Sequence, residues 1–100
     1  MKDKYIKTRN IKWNEIEKDV FEKLCIDDTV GIKVSILRIE PHKEILMHKH
    51  TDTRYNFILK GSMSDGNREC GEGDILINEK GSEHFLKSGP SGCEFILIWN

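Results

Sequence analysis

Short runs in which apolar and polar residues alternate place the strongest constraint on how this chain folds. From Val20 onward, segments such as GIKVSILRIE, RYNFILK and CEFILIW carry Ile, Leu, Phe and Trp with a period of two. This spacing and these residue types favour strands. Turn-forming residues separate the runs, as in Ser64–Asn67, Gly71–Asp74 and Ser88–Gly92. Roughly seven or eight short strands predict an all-β fold, an antiparallel sandwich or barrel.

The length of the chain limits how many domains it can form. Its 100 residues are enough for one domain and too few for two. The sequence contains no long amphipathic helix, internal repeat or linker. We expect a single β domain over residues 13–100, preceded over residues 1–12 by an N-terminal arm or edge strand. Residues 13–18 are ambiguous and could begin a helical turn.

Charge and composition exclude several classes of partner. The net charge is −1, and no basic stripe is interleaved with aromatic residues, so we expect no nucleic-acid partner. No apolar run approaches the roughly 20 residues of a membrane span. The charged N-terminus lacks the apolar core of a signal peptide. The three cysteines lack a CxxC pair, which fits reduced thiols. We therefore expect a cytoplasmic protein that does not bind membranes.

Three of the four histidines form a candidate metal site. On a strand, His48 and His50 would share one face, about 7 Å apart, and could converge on one ion. A third ligand must come from another strand, and His84 is the candidate because it follows the turn at Gly81. Imidazole ligands do not select one metal, so Zn, Fe, Ni or Mn would fit. The alternative is that these histidines fall in strands by chance and only form hydrogen bonds.

The wider spacing of glycines and histidines resembles a known signature. Gly61 follows His50 by eleven residues, and His84 follows Gly73 by eleven. The pair of motifs, HKH…G and G…EKGSEH, is similar to the two-part signature of the cupin superfamily. The run from SDGNRECGEGD to the closing GCEFILIW further resembles the cupin domain of ChrR-type anti-sigma factors, which bind zinc. The resemblance implies a single-domain, jelly-roll-like antiparallel β-barrel with the metal at the three histidines.

One departure from the family pattern affects the proposed site directly. Arg54 stands where cupins usually carry a glutamate that completes the metal site, and arginine cannot ligate a metal because it stays protonated. Strand alternation places Arg54 and Asn56 on one face with Ile58. In the register that the family implies, this face points into the barrel. We therefore predict Arg54 and Asn56 as binding residues for a small anionic ligand. Tyr55 falls on the opposite face, where packing in the core is its simplest role.

Charge leaves four arrangements open for Arg54. A divalent ion about 6 Å from a guanidinium would be repelled by about 5 kcal/mol at an effective dielectric constant near 20. A nearby carboxylate such as Asp52, Glu44 or Glu83 could offset this cost, and so could an anionic ligand that bridges metal and arginine. Alternatively, Arg54 turns outward to solvent. In the fourth arrangement no metal binds, and Arg54 itself is the anion receptor.

The sequence supports two classes of function and leaves open whether the protein is an enzyme. The resemblance implies a metal-dependent dioxygenase or isomerase that acts on a small anionic molecule. The alternative is a non-catalytic sensor that binds metal or ligand, as the ChrR likeness implies. The helical sigma-binding part of that family has no counterpart here, so we do not expect sigma-factor inhibition. Because so small a barrel leaves apolar surface uncovered and cupins commonly pair, we expect a homodimer.

Replacing Arg54 with glutamate tests whether this side chain faces the ion. We expect Arg54→Glu to bind divalent metal more tightly than the unchanged protein, because the substitution adds a fourth ligand and removes a positive charge. Titration calorimetry with Zn²⁺ would measure the difference. Equal or weaker affinity would show that Arg54 does not face a metal.

Overall fold

The structure, a computed structural model, describes residues 2–29, 31–47 and 52–100. Within these ranges the chain forms one short 3₁₀ turn, Thr8–Asn10, and eight strands. The strands are β1 (Asn14–Glu17), β2 (Val20–Asp27), β3 (Lys33–Ile39), β4 (Glu44–Met47), β5 (Arg54–Ser64), β6 (Glu69–Gly71), β7 (Ile75–Asn78) and β8 (His84–Trp99). The all-β prediction is confirmed. A helical turn over residues 13–18 is wrong, because residues 14–17 pair with β2.

Two long strands divide the sheet into two layers. The first half of β5 pairs with β7 and with the second half of β8, which also pairs with β3. The second half of β5 pairs with β6, while the first half of β8 pairs with β4. The described strand pairs are all antiparallel, and their ladder does not close into a ring. The predicted jelly-roll-like architecture is therefore confirmed, in the form of an open sandwich.

The core lies between the two layers and takes alternate residues from each. Leu37, Phe95 and Leu97 come from one layer, and Met63 and Leu86 come from the other. Buried polar side chains lie on the same inner faces, namely those of Ser35, Asn56, Asn78 and Ser88. The period-two pattern of the sequence thus corresponds to inward and outward faces of the strands. No helix in the described ranges is long and apolar enough to cross a membrane.

Glycines allow β5 and β8 to pass from one layer to the other. Gly61 and Gly92 both have positive φ, at +75° and +77°. The two backbones meet so closely that a Cβ on Gly61 would collide with the carbonyl group of Gly92. A Cβ on Gly92 would in turn collide with the carbonyl oxygen of Ile39. Because the obstacles are backbone atoms, they cannot rotate away, and only glycine fits at both positions.

Alanine substitutions would separate this close approach from the effect of positive φ alone. We expect Gly61→Ala to lose about 3 kcal/mol or more of unfolding free energy, because it combines strain with a backbone collision. Gly66→Ala is the matched control, because Gly66 also has positive φ (+95°) but no atom within 4 Å of an added Cβ. We expect Gly66→Ala to lose only about 1–2 kcal/mol of unfolding free energy, the cost of a non-glycine residue in the left-handed region. Urea unfolding of both variants measures the difference, and equal losses would contradict the packing argument.

Candidate ligand site

The two sequence motifs meet at one end of the sandwich. β4 ends at Met47, and the backbone of Met47 pairs with that of His84 at the start of β8. β5 begins at Arg54, which pairs with Asn78 at the end of β7. Between these pairs, the Lys80 N–H donates to Thr53 Oγ1 at 3.3 Å. The residues that flank 48–53, Met47 and Arg54, are therefore paired with residues that flank 79–83, about thirty positions away in sequence.

The described residues do not test the predicted metal ligands. His48 and His50 lie outside the described residues, and His84 is described by its backbone alone. Among the residues that are described, no three His, Cys, Asp or Glu side chains come close enough to hold one ion. The ligand set therefore stays a prediction.

A cavity of about 160 Å³ lies between the two layers. A cavity of about 150 Å³ can hold a molecule the size of benzene. The polar residues that line it are Glu17, Arg54 and Asn56. The rest of the lining is apolar and consists of Ile16, Val20, Leu37, Ile39, Ile45, Leu46, Met63, Leu86, Phe95 and Leu97. The cavity is therefore an apolar chamber with a few polar groups, which is the usual composition of a small-molecule site.

Arg54 lines the cavity and is held there by an aromatic ring. Its guanidinium carbon lies 5.3 Å from the centroid of the Trp99 ring, within the range of a cation–π contact. Its Nε is buried and has no hydrogen-bond partner among the described residues. The described residues also place no carboxylate within 4 Å of it. This geometry argues against the arrangement in which the Arg54 side chain turns outward to solvent.

Asn56 lines the same cavity but has a structural role as well. Its side chain is buried, and its Nδ2 group donates to the Leu76 carbonyl at 3.0 Å and to Asn78 Oδ1 at 2.8 Å. Both amide hydrogens are thus committed to protein acceptors. Asn56 therefore ties β5 to β7 and fixes the wall of the cavity. Its contact with a ligand stays a prediction. The side-chain oxygen of Asn56, Oδ1, would make that contact.

Two buried oxygen atoms near the motif end lack a partner. Asp52 Oδ2 and Ser82 Oγ are both inaccessible to solvent and have no hydrogen bond within the described part of the chain. Asp52 belongs to the segment 48–53, and Ser82 belongs to 79–83. Leaving a buried polar atom unpaired costs about 1–3 kcal/mol, and more if it is charged. A bound cation, ligand or water at this end would remove that cost.

Sequence reasoning missed the contribution of Trp99 to the site. The Trp99 ring forms a surface beneath Arg54. Alternation along β8 places Trp99 on the face of Phe95 and Leu97, which is a signal available in the sequence. The contact itself depends on β5 and β8 pairing so that Tyr55 lies opposite Ile98, a register that no local pattern specifies.

Four other side chains can be assigned from their environment. Burial raises the pKa of the Cys93 thiol to about 12, so this cysteine stays protonated and unreactive. Burial also raises the pKa of Cys25 and Cys70, which favours their protonated form. The expected core role of Tyr55 is wrong, because its side chain is 48% exposed on the outer face of β5.

These features define the class of protein. An antiparallel jelly roll of two layers, with a ligand-sized cavity between them and paired motif segments at one end, is a cupin. The chain belongs to the ChrR Cupin-like domain family, whose model matches residues 1–99. No curated protein matches the sequence.

Solved structures share this fold at low sequence identity. KdgF from a Halomonas species is 12% identical, with a TM-score of 0.84 over 98% of this chain and 93% of that one. The polyketide cyclase RemF from Streptomyces resistomycificus is 19% identical, with a TM-score of 0.82 over 98% and 79%. A chain in the complex of Rhodobacter sphaeroides SigE with the anti-sigma ChrR is 18% identical, with a TM-score of 0.82. That match covers 94% of this chain and about half (52%) of the other. At these identities the likeness concerns the fold alone.

Proposed function

We propose that this protein binds a small organic anion in the cavity between its layers, with Arg54 as the anion-binding residue. The observation that carries the proposal is the environment of Arg54. Arg54 lines a mostly apolar chamber, its guanidinium rests on Trp99, and its Nε is buried without a partner among the described residues. A carboxylate ligand would accept two hydrogen bonds from such a group, in the geometry that arginine favours.

The charges around the cavity favour an anion over a cation. Glu17 also lines the cavity, but its side chain is 56% exposed and lies 3.9 Å from the Lys43 ammonium group. Its charge is therefore weakened by solvent and partly offset by its neighbour. Arg54 is more enclosed and has no acidic partner within 4 Å among the described residues. The charged side chains that line the cavity therefore favour an anion at Arg54.

The size and lining of the cavity narrow the class of ligand. A volume of about 160 Å³ with mostly apolar walls suits a molecule with an apolar body the size of one aromatic ring. The anionic group of such a ligand would lie at Arg54. Small aromatic or branched aliphatic carboxylates have both properties. Larger molecules and highly hydroxylated sugars would leave polar groups against apolar walls without hydrogen bonds.

A divalent metal, Zn, Fe, Ni or Mn, fits the same end of the sandwich. The proposed ligands are His48, His50 and His84, and the pairing of Met47 with His84 supports this choice. The buried Asp52 oxygen, which has no hydrogen-bond partner among the described residues, would provide a negative charge that offsets part of the repulsion between metal and Arg54. An ion bound there would act as a Lewis acid toward an oxygen of the ligand. Arg54 and the apolar walls would orient that ligand and exclude water from it.

This arrangement serves either a metal-dependent dioxygenase or isomerase, or a sensor that binds without turnover. The names of structural neighbours include both a cyclase and an anti-sigma complex, so the fold does not choose between them. Oxygen uptake by the Fe(II)-loaded protein, measured with small diketones or phenolics, would support an enzyme. A ligand-dependent rise in melting temperature with no turnover would support a sensor.

Removing the charge of Arg54 tests the anion proposal. We expect benzoate to bind the unchanged protein, and Arg54→Met to weaken this binding by at least about tenfold, the scale of a charge-assisted hydrogen bond. Neutral benzamide, which has nearly the same shape, should bind weakly to both. Titration calorimetry on protein treated with a chelator would measure these affinities without a contribution from metal.

Arg68 provides the matched control for this experiment. Its side chain is 90% exposed on a turn and does not line the cavity. Arg68→Met removes the same charge and should leave benzoate affinity unchanged. The proposal fails if Arg54→Met binds benzoate as well as the unchanged protein, or if Arg68→Met loses as much affinity as Arg54→Met.

Elemental analysis tests the proposed metal ligands. We expect the protein to contain or take up about one divalent metal per chain, as a three-histidine site requires, and His50→Ala to lose it. His42→Ala is the control, because His42 lies in an exposed turn with φ of +57°. Protein that fails to take up Zn, Ni or Fe(II), or a His50→Ala variant that keeps its metal, would exclude the site. Anion binding at Arg54 would remain testable in either case.

A further inference from the structure

Strand register places a second basic residue beside Trp99. Lys33 on β3 lies directly opposite Trp99 on β8. Arg54 reaches Trp99 from the other neighbouring strand, β5, where Tyr55 pairs with Ile98 and the guanidinium carbon lies 5.3 Å from the centroid of the Trp99 ring. Residues directly opposite one another in an antiparallel pair point to the same face of the sheet. Lys33 and Arg54 therefore flank Trp99 on its two neighbouring strands.

The Lys33 side chain belongs to the inner face of β3. The residues that alternate with the same parity along this strand, Ser35, Leu37 and Ile39, are buried. Lys33 itself is half-buried. Neighbouring strands lie about 4.8 Å apart, so the Cα atoms of Lys33 and Arg54, which are two strands apart, are separated by about 10 Å. Both side chains are long, and one small ligand between them could contact both.

Neither cation has a carboxylate within 4 Å among the described residues. Asp27 pairs in register with Lys33 from β2, but its side chain is exposed and forms no ion pair with Lys33 within that distance. Asp52, at the same end of the sandwich, forms no such pair with Lys33 or Arg54. Two like charges at this separation repel one another, and an anion with two charges between them would reverse the sign of that interaction.

We propose that the ligand of this cavity carries two carboxylates, one bound by Arg54 and the other by Lys33, on an apolar body the size of one aromatic ring. The second contact rests on the proposed binding of an anion at Arg54 and adds specificity to it. The apolar body would fill the chamber, whose lining is mostly apolar. Lys33 does not line the chamber, so its carboxylate would lie at the end of the sandwich beside Trp99.

The relative positions of the two carboxylates follow from this arrangement. On a benzene ring, two carboxylates in meta positions can both point toward cations at one end of the chamber. Two carboxylates in para positions point in opposite directions, and one of them would be buried against apolar walls without a partner, which is costly for a charged group. Isophthalate, the meta isomer, is therefore the matched probe, and terephthalate, the para isomer, is the mismatched one.

Titration calorimetry on chelator-treated protein tests the proposal with isophthalate, benzoate and terephthalate. We expect isophthalate to bind at least about tenfold more tightly than benzoate, the scale of one charge-assisted hydrogen bond, and terephthalate to bind more weakly than benzoate. Lys33→Met should lower the ratio of isophthalate affinity to benzoate affinity to about one, because it removes the second cation. Lys33→Arg should keep most of the ratio, because arginine keeps the charge.

Lys60 provides the matched control for these variants. It is exposed on β5, pairs in register with Glu94 and does not line the cavity. Lys60→Met removes the same charge and should leave the ratio of the two affinities unchanged.

The affinities also separate failure of the second contact from failure of the anion site. The second contact is excluded if the unchanged protein binds isophthalate no more tightly than benzoate, or binds terephthalate as tightly as isophthalate. A ratio that survives Lys33→Met, or that falls equally in Lys60→Met, also excludes it. In each of these cases benzoate binding that depends on Arg54 would still support the anion site. Protein that does not bind benzoate at all would overturn both proposals.

Discussion

The close approach of two backbones at Gly61 and Gly92 is the constraint on which the rest of this structure depends. β5 and β8 each contribute to both layers, and they can do so only if both chains bend where they pass one another. The bend turns one sheet into two layers that face each other. The cavity lies between these layers and is lined by residues of both. A side chain at either glycine would therefore disturb the site as well as the stability.

The chemistry of the cavity follows from one charged group in an apolar environment. A guanidinium is costly to bury unless its donors have partners, and the described residues around Arg54 supply an aromatic face but no acidic partner within 4 Å. A ligand anion would provide the missing charge. On this proposal, the arginine that distinguishes this chain from the usual cupin pattern would favour anionic ligands, whether or not a metal is bound beside it.

The sequence predicted one face of β5 well and the other poorly, for a physical reason. Alternation correctly placed Arg54, Asn56 and Ile58 together, and all three lie on the inner side. The same alternation gave the face of Tyr55 and Phe57 an equally apolar pattern, and Tyr55 was expected in a core. Local periodicity reports that a face is apolar but does not say which element covers it. Here the inner face is covered by the second layer, while the outer face is left exposed by the described residues.

By itself, the sequence determined the strands, the turns and the spacing of the two motifs, because these depend on backbone conformations and side-chain alternation within short segments. It therefore predicted the fold class and the set His48, His50 and His84. Tertiary structure decided which residues oppose one another across strands. That register set Arg54 above Trp99, joined Asn56 to Asn78 and placed Lys33 opposite Trp99. Such contacts join residues far apart in sequence, and only the packing of the whole chain specifies them.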